Sequence, residues 1–210
     1  PPASPLFPYT TLFRSVSFRG ELLLYARANP AARGQRFVQV SSSADGGRTW
    51  SPFRLIELGG YRREEGEVYF FAAQPNPVHA GSLLAVLPLV HNHRGCIGLA
   101  TSLDGLRWSA VTPVVGCATN WDGLDLYERR GERTVDHVAA GVLRRGGRVQ
   151  MYVHERVPGI YDAGLRAWAL RATGRAAEVA PRLARHSLPA PDFLEWTRAS
   201  LRSLGAGAEA

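Results

Sequence analysis

The chain has 210 residues, of which 45% are hydrophobic and 20% are charged, so it can bury a core in one or two domains. Its formal net charge is +7, but all 25 basic residues are arginines scattered along the chain, and no clustered basic stripe indicates a nucleic-acid partner. No apolar run approaches the roughly 20 residues that a membrane-spanning helix needs, so we expect no membrane partner either.

The N-terminal segment has an unusual sequence. Residues 6–15 read LFPYTTLFRS, which is similar to one translated frame of a widely used sequencing adapter. We therefore expect residues 1–15 to be an adapter-like artefact outside the domain, and the interpretation of the fold begins at Val16. The only methionine is Met151, which also favours a fragment of a longer protein.

Two segments of the chain resemble each other around an Asp-Gly turn. The first has the pattern S-x-D-G-G-x-T-W between two strand-like stretches, and the second keeps a shortened form of it. Because glycine adopts positive φ readily, Asp-Gly between alternating apolar residues is a strong hairpin signal. The residues that carry the pattern are Ser43, Asp45, Gly47, Thr49 and Trp50 in the first copy and Ser102, Asp104, Gly105 and Trp108 in the second.

The recurrence of these turns predicts the blades of a β-propeller, each a sheet of about four strands. Two strands, EVYFFAAQPNPV and SLLAVLPLV, fill the interval between the turns. Downstream, Gly146-Gly147 separates two further strands, and residues 164–174 are predicted to supply the third strand of that sheet. We therefore predict an all-β fold: a β-propeller of the five- or six-bladed type, of which residues 16–190 form about three blades, with a short C-terminal helix.

The C-terminal segment has helical periodicity. Asp192 is a candidate N-cap, Glu195 follows three residues later, and apolar side chains recur through DFLEWTRASLRSLG as far as Gly205. We predict an amphipathic helix over residues 191–205 that packs against the flank of the propeller. Residues 206–210 are predicted to be a disordered tail.

The repeated turn has a structural explanation. Its aspartate can accept hydrogen bonds from turn amides, its hydroxyls can tie the turn, and its tryptophan can cover the apolar interior of the blade. With these residues, the first copy resembles the Asp-box, or BNR repeat, of the sialidase (neuraminidase) superfamily of β-propellers. The resemblance implies the fold and a protein that acts on or binds glycans, whereas the chemistry has to come from a site.

Polar residues gather at one end of the predicted strands. In an up-and-down blade, the starts of the innermost strands and the ends of the second strands share one face, and the Asp-box turns lie on the other. Inner strands begin with Glu67 and Tyr69 in one blade and with Asp136 and His137 in the next. The second strands end at Arg27, at His91 and His93, and at Glu155 and Arg156.

This predicted rim suggests glycoside hydrolysis, which needs one protonated carboxyl to assist the leaving oxygen and one ionised carboxylate as base or nucleophile. Asp136 and Glu155 are the best candidate pair, and Glu67 is a third candidate. Arg156 beside Glu155 could hold it ionised or bind an acidic sugar. The alternatives are a surface ion pair for Glu155 and a strand cap for Asp136. The candidate substrate-binding residues are Arg27, Arg156, His91, His93, His137 and Tyr69.

The sequence contains no metal or cofactor signature. His91 and His93 alternate on a strand, but no third ligand follows at a diagnostic distance, so we expect neither a metal site nor a cofactor. Cys96 and Cys117 can form at most one disulfide. Because the turn at Asp104 does not bring them opposite each other, we predict two packed thiols.

The resemblance leaves the activity open between two classes. Sialidases use an arginine clamp and a tyrosine nucleophile, for which Arg27, Arg156 and Tyr161 are candidates, and five-bladed glycosidases carry carboxylates at inner-strand starts, as Glu67 and Asp136 would. The leading hypothesis is therefore a glycosidase-like propeller whose partner is a glycan or a small sugar. The alternative is a non-catalytic propeller that binds glycans or proteins. With about three blades, we also expect the chain itself to be inactive and to aggregate through exposed edge strands.

Overall fold

The computed structural model describes residues 13–30, 36–61, 67–68, 70–91, 94–115, 134–158, 172–174 and 182–206. In this part of the chain, three sheets follow one another along the sequence. No helix within these described ranges is long and apolar enough to cross a membrane.

The first sheet is a four-stranded antiparallel meander. A two-residue turn at Arg19 and Gly20 joins its first two strands, and both turn residues have positive φ, as a tight hairpin requires. The first strand begins at Phe13, opposite Ala26, so the last three residues of the adapter-like segment pair with the second strand. The strands are β1 (Phe13–Phe18), β2 (Glu21–Ala28), β3 (Phe37–Ser43) and β4 (Arg54–Leu55).

The second sheet surrounds the long hairpin of β8 and β9, in which His91 lies opposite Arg94. One short strand, β5, follows the first sheet in sequence but pairs in parallel with β10, and so links the two sheets through the backbone. The segment predicted as a single inner strand is divided into β6 and β7, which both pair with β8. The strands are β5 (Glu57–Leu58), β6 (Glu67–Val68), β7 (Ala72–Pro75), β8 (Leu83–His91), β9 (Arg94–Ser102), β10 (Arg107–Trp108) and β11 (Thr112–Val115).

The third sheet has three described strands, β12 (Thr134–Arg145), β13 (Arg148–Pro158) and β14 (Arg182–Pro189), in that order. The turn at Gly146-Gly147 joins β12 and β13 as the sequence predicted. The third strand, however, was predicted wrongly, because β14 occupies the edge of β13 that was assigned to residues 164–174. Of that predicted strand, Ala172 is helical, residues 173–174 form a turn, and the rest lies outside the described residues.

The helix α1 (Ala190–Ala206) follows β14 directly. It begins one residue before the predicted range and two residues before the candidate N-cap Asp192, so Asp192 lies in the first turn, where a carboxylate interacts favourably with the positive end of the helix dipole. Phe193 is buried with residues of the second and third sheets, and Trp196 packs beside it. Hydroxyls fix the helix on the second sheet, since Ser200 Oγ lies 2.9 Å from Thr101 Oγ1.

The fold class predicted from the sequence is confirmed: the chain is mostly β, and its described residues form three successive propeller-type sheets followed by a short C-terminal helix. The innermost strands β1, β7 and β12 contact one another in succession, as strands around a common axis do. One apolar cluster fills the space between the first and second sheets. Another joins the second sheet, the third sheet and α1.

Aromatic side chains lie at the centre of the apolar cluster between the first and second sheets. Tyr25 of β2 contacts the rings of Phe71 and Trp108, at centroid distances of 5.3 Å and 5.9 Å. Its hydroxyl donates a hydrogen bond of 2.8 Å to the carbonyl oxygen of Gly105, in the turn of the second sheet. Burial raises the pKa of Tyr25, and the nearby Asp104 charge adds to the effect, so the hydroxyl stays protonated as a donor.

Replacing Gly105 with alanine tests this close approach. A Cβ at Gly105 would lie 2.5 Å from Leu23 Cδ1 and 2.8 Å from Tyr25 Oη, whereas a Cβ at Gly46 would have nothing within 4 Å. Both positions have positive φ, so each alanine costs about 1–2 kcal/mol of backbone strain. We expect Gly105→Ala to lower the free energy of unfolding in urea by about 1–3 kcal/mol more than Gly46→Ala does, because the buried side chains around Gly105 must move. Equal losses in Gly105→Ala and Gly46→Ala would contradict the packing described here.

Candidate functional site

The first Asp-Gly turn is organised by the carboxylate of Asp45. Its Oδ1 atom accepts hydrogen bonds from the backbone amides of Arg48 and Thr49, both at 2.9 Å, and from the Ser43 hydroxyl at 2.8 Å. The Thr49 hydroxyl donates to Oδ2 at 2.7 Å. These bonds, led by the Thr49 hydroxyl, lower the pKa of Asp45, so the carboxylate remains ionised as the acceptor that the turn needs.

The second turn has the same construction with one substitution. Asp104 Oδ1 accepts from the amides of Leu106 and Arg107 at 2.9 Å and 2.8 Å. The Arg107 guanidinium takes the place of the threonine hydroxyl and donates to Oδ2 at 2.9 Å. Burial alone would raise the pKa of Asp104, but its hydrogen bonds and the arginine charge outweigh burial and lower it.

The two tryptophans share one contact and differ in burial. In each turn the indole nitrogen donates to the glycine carbonyl three residues earlier: Trp50 to Gly47 at 3.0 Å and Trp108 to Gly105 at 3.1 Å. Trp108 is only 1% exposed because Tyr25 of β2 and Phe71, the residue before β7, pack on it, whereas Trp50 is 40% exposed. The side chains of the repeated motif thus bond within their own turns, which gives them a structural role.

The polar residues predicted to form a rim belong to the strand ends away from these two turns. Glu67, the first residue of β6, pairs with Val90 near the end of β8. Its carboxylate lies 3.6 Å from the guanidinium of Arg36, which precedes β3, so this ion pair joins the second sheet to the first. Arg27, near the end of β2, donates instead to the Asn29 amide oxygen at 3.2 Å.

Of the candidate carboxylates, Glu155 is the one whose burial and hydrogen-bond partners the structure describes most fully. It lies on the same face of β13 as Met151 and Val153, which is the face of the third sheet that packs against the second. Only 11% of its side chain is exposed. Arg182 Nε lies 2.6 Å from Oε2, and His186 Nε2 lies 2.8 Å from Oε1, so each carboxylate oxygen has its own partner on β14.

These contacts determine the charge of Glu155. Burial by itself would raise its pKa, but the hydrogen bond from Arg182, followed by that from His186, outweighs burial and lowers it. The group is therefore an ionised carboxylate held by basic neighbours. Such a group suits the role of a base, a nucleophile or an electrostatic stabiliser, and not that of a proton donor.

The backbone places Asp136 on β12 beside the part of β13 that contains Glu155. Val135 lies opposite Val157 and His137 lies opposite His154, with an irregularity in the pairing between them. The two carboxylate-bearing residues are therefore on adjacent strands at the same end of the sheet.

Several candidates lie partly or wholly outside the described residues. The side chains of Asp136, His137, His91 and Arg156 are outside them, although their backbones belong to strands. Tyr69, His93, Tyr161 and Cys117 lie wholly outside, as does the side chain of Cys96. Among the side chains that are described, no group of three or more His, Cys, Asp or Glu residues could hold a metal ion.

Three basic residues of the rim were not found from the sequence: Arg36, Arg182 and His186. Arg182 and His186 are four residues apart on β14 and lie on one face of it, and this spacing could have indicated a strand face with basic residues. Most of β14 is exposed, however, so its apolar content is too low to identify a strand by itself. Arg36 gives no signal at all, because its pairing with Glu67 depends on the contact between two sheets.

Comparisons with known proteins identify no family for the chain. No protein-family model and no curated protein matches the sequence. Solved structures with a related arrangement include a Hadza microbial sialidase, at 16% identity and a TM-score of 0.45, covering 69% of this chain and 32% of the sialidase. An N-acetylgalactosamine deacetylase from F. plautii, in complex with blood group B trisaccharide, has 15% identity, a TM-score of 0.45, and coverage of 69% and 40%.

A further structure described as a glycoside hydrolase has 11% identity and a TM-score of 0.45, covering 80% of this chain and 40% of that protein. The chain thus spans between 32% and 40% of the lengths of these three proteins. At these identities the likeness concerns the arrangement of strands and identifies no catalytic residue.

The lowered pKa of Glu155 implies that the stability of the protein depends on pH. The ionised Glu155 side chain should make its full contribution to the free energy of unfolding above the unfolded-state pKa, about 4.3, and this contribution should be lost as the pH falls through the lower folded-state value. Glu155→Gln should therefore destabilise the protein by about 1–2 kcal/mol at pH 6 and by progressively less below about pH 4. Urea unfolding of both proteins at each pH measures this difference. Glu195→Gln, at an exposed position on α1, is the control, and a gap between wild type and Glu155→Gln that widens in acid would contradict the assignment.

Proposed function

We propose that the protein to which this propeller-type chain belongs acts on glycans as a glycosidase, with Asp136 and Glu155 as its carboxylate pair. Glu155 would be the ionised member, acting as base or nucleophile, and Asp136 would be the protonated member that assists the departing oxygen. Glu67 remains the third candidate. The partner would be a glycan or a small sugar, bound by the polar residues of the rim.

One observation carries the proposal: a nearly buried, ionised glutamate lies at the rim end of a strand, beside the strand that bears Asp136. Residues opposite each other on adjacent antiparallel strands have Cβ atoms about 4.5–5.5 Å apart. A carboxylate pair on such strands is compatible with the roughly 5–10 Å that separates the two groups in retaining and inverting glycosidases. Arg182 and His186 support this role because they keep the charge on Glu155.

Basic side chains of the rim would recognise the substrate. Arg182 is 61% exposed although it contacts Glu155, so its guanidinium can also reach a ligand oxygen. Arg27 and Arg156, with His91, His93, His137 and Tyr69, are the further binding residues that the sequence suggested. An acidic sugar would gain most from these arginines, because a carboxylate accepts paired hydrogen bonds from a guanidinium.

The test is hydrolysis of a panel of aryl glycosides, including an aryl sialoside, by a protein that contains this chain in a complete propeller and by its variants, whereas the 210-residue chain alone is expected to be inactive. We expect release from at least one substrate, and a fall in kcat of about a hundredfold or more in Glu155→Gln and in Asp136→Asn, as for loss of an acid or base. Glu195→Gln should leave kcat unchanged. Activity that survives both rim substitutions would contradict the proposed pair.

A non-catalytic glycan-binding propeller is the second candidate, and it too has an observation in its favour. Both oxygens of Glu155 already accept a hydrogen bond from a basic side chain, as in a purely structural ion pair. This function predicts that glycan binding is detectable without hydrolysis and that Glu155→Gln retains it. Isothermal titration with the sugars of the hydrolysis panel distinguishes the two functions.

A further inference from the structure

The outer face of the third sheet is rich in basic side chains. Along β13, Met151 and Val153 are buried against the second sheet. Because successive side chains of a strand point to opposite faces, Arg148, Tyr152 and His154 lie on the other face, away from the second sheet. Glu155 shares the face of Val153, so the candidate catalytic carboxylate and these three side chains are on opposite sides of one strand.

The two neighbouring strands add further arginines to this face. Arg145 of β12 lies opposite Arg148, and Arg185 of β14 lies opposite Tyr152. Residues directly opposite each other on antiparallel strands point to the same side of the sheet, so both arginines share the face of Arg148. The three arginines are scattered in the sequence, and the pairing of β14 with β13 brings them together. The surface formed by Arg145, Arg148, Tyr152, His154 and Arg185 is called the basic face below.

The positive charge of the basic face is not neutralised within the described part of the chain. Among the described side chains, no carboxylate forms an ion pair with any of its three arginines, and this includes Asp192 in the first turn of α1. Arg148 donates instead to the hydroxyl and the carbonyl oxygen of Ser187, at 3.1 Å each. Like charges directly opposite each other, as Arg145 and Arg148 are, destabilise a sheet. An anion bound between them would remove this repulsion.

The basic face is also accessible and long. Its arginines and His154 are exposed, and Tyr152 is half-buried. Leu143 and Leu183, on the same face of the flanking strands, are 59% and 71% exposed. From Arg148 to His154 the face extends about 20 Å along β13, at roughly 3.4 Å per residue. This length suits a chain molecule better than a single sugar or a small ion.

An acidic polysaccharide fits these features better than a nucleic acid does. Carboxylates repeated along a sugar chain can each accept paired hydrogen bonds from a guanidinium, and the C–H face of a sugar can pack on an aromatic ring. A single-stranded nucleic acid needs a series of aromatic rings for successive bases, and among the five residues of the basic face only Tyr152 has a large one. The choice of a glycan also rests on the proposed function, whereas the choice of an anion rests on the charges alone.

We propose that the basic face binds an acidic polysaccharide, at a surface separate from the rim. The guanidinium groups of Arg145, Arg148 and Arg185 bind its carboxylates, and the ring of Tyr152 packs against one of its sugars. Because Glu155 lies on the other side of the sheet, the bound chain does not occupy the candidate catalytic site. The basic face thus keeps the protein attached to a polymeric substrate while the rim stays free.

Isothermal titration with polygalacturonate tests the proposal, in the same complete protein as the hydrolysis test. Fully methyl-esterified polygalacturonate is the uncharged control ligand, and it should bind at least about tenfold more weakly. We expect the dissociation constant for polygalacturonate to rise about threefold in Arg145→Gln and in Arg185→Gln, and about tenfold in the double variant, because each substitution removes one exposed ion pair. Arg54→Gln is the matched control, since Arg54 is an exposed arginine of the first sheet.

The same variants separate this proposal from the proposed function. Arg145→Gln and Arg185→Gln should leave kcat for the small aryl glycosides unchanged, because those substrates bind at the rim, and circular dichroism shows that each variant is folded. Binding of polygalacturonate through the basic face without any hydrolysis would support this proposal and contradict the proposed function. An unchanged dissociation constant in the double variant, equal affinity for the methyl-esterified chain, or equally tight binding of single-stranded DNA to the same arginines would overturn the proposal.

Discussion

The hydrogen bond from the Tyr25 hydroxyl to the Gly105 carbonyl is the contact on which the arrangement of the first two sheets depends. It requires a glycine, because a Cβ at this position would collide with the tyrosine. It also requires a rigid turn, which Asp104 provides by binding the two amides that follow Gly105. A buried hydroxyl without this acceptor would cost free energy instead of contributing it. The motif thus stabilises the packing of neighbouring sheets as well as its own hairpin.

The strand ends away from the Asp-Gly turns carry the polar side chains of the candidate site. The rim contains polar side chains from different sheets, and the ion pair between Arg36 and Glu67 crosses from the first sheet to the second. Glu155 belongs to the third sheet and is held by two residues of its edge strand. The strand ends thus carry an ionised carboxylate and basic side chains, the groups that the proposed function would use.

The sequence predicted the features that depend on local chemistry. Asp45, Asp104 and the Gly146-Gly147 turn identify hairpins because glycine tolerates positive φ and aspartate accepts the turn amides. The sequence did not predict β14, whose alternation is weak because both of its faces are largely exposed. Nor could it predict that the two-residue strand β5 joins the second sheet, since that pairing depends on how the sheets pack.

The candidate site was predictable only in part, for the same reason. The position of Glu155 at a strand end follows from the hairpin, but its partners are 27 and 31 residues away in sequence and belong to the unpredicted strand. A double-mutant cycle between Tyr25→Phe and Asp104→Asn tests the central claim most directly, by urea unfolding of the four proteins. If the turn presents its carbonyl to the tyrosine, the losses should be non-additive, with a coupling energy of about 1 kcal/mol. Losses that add to within about 0.3 kcal/mol would show that the turn and the tyrosine act independently.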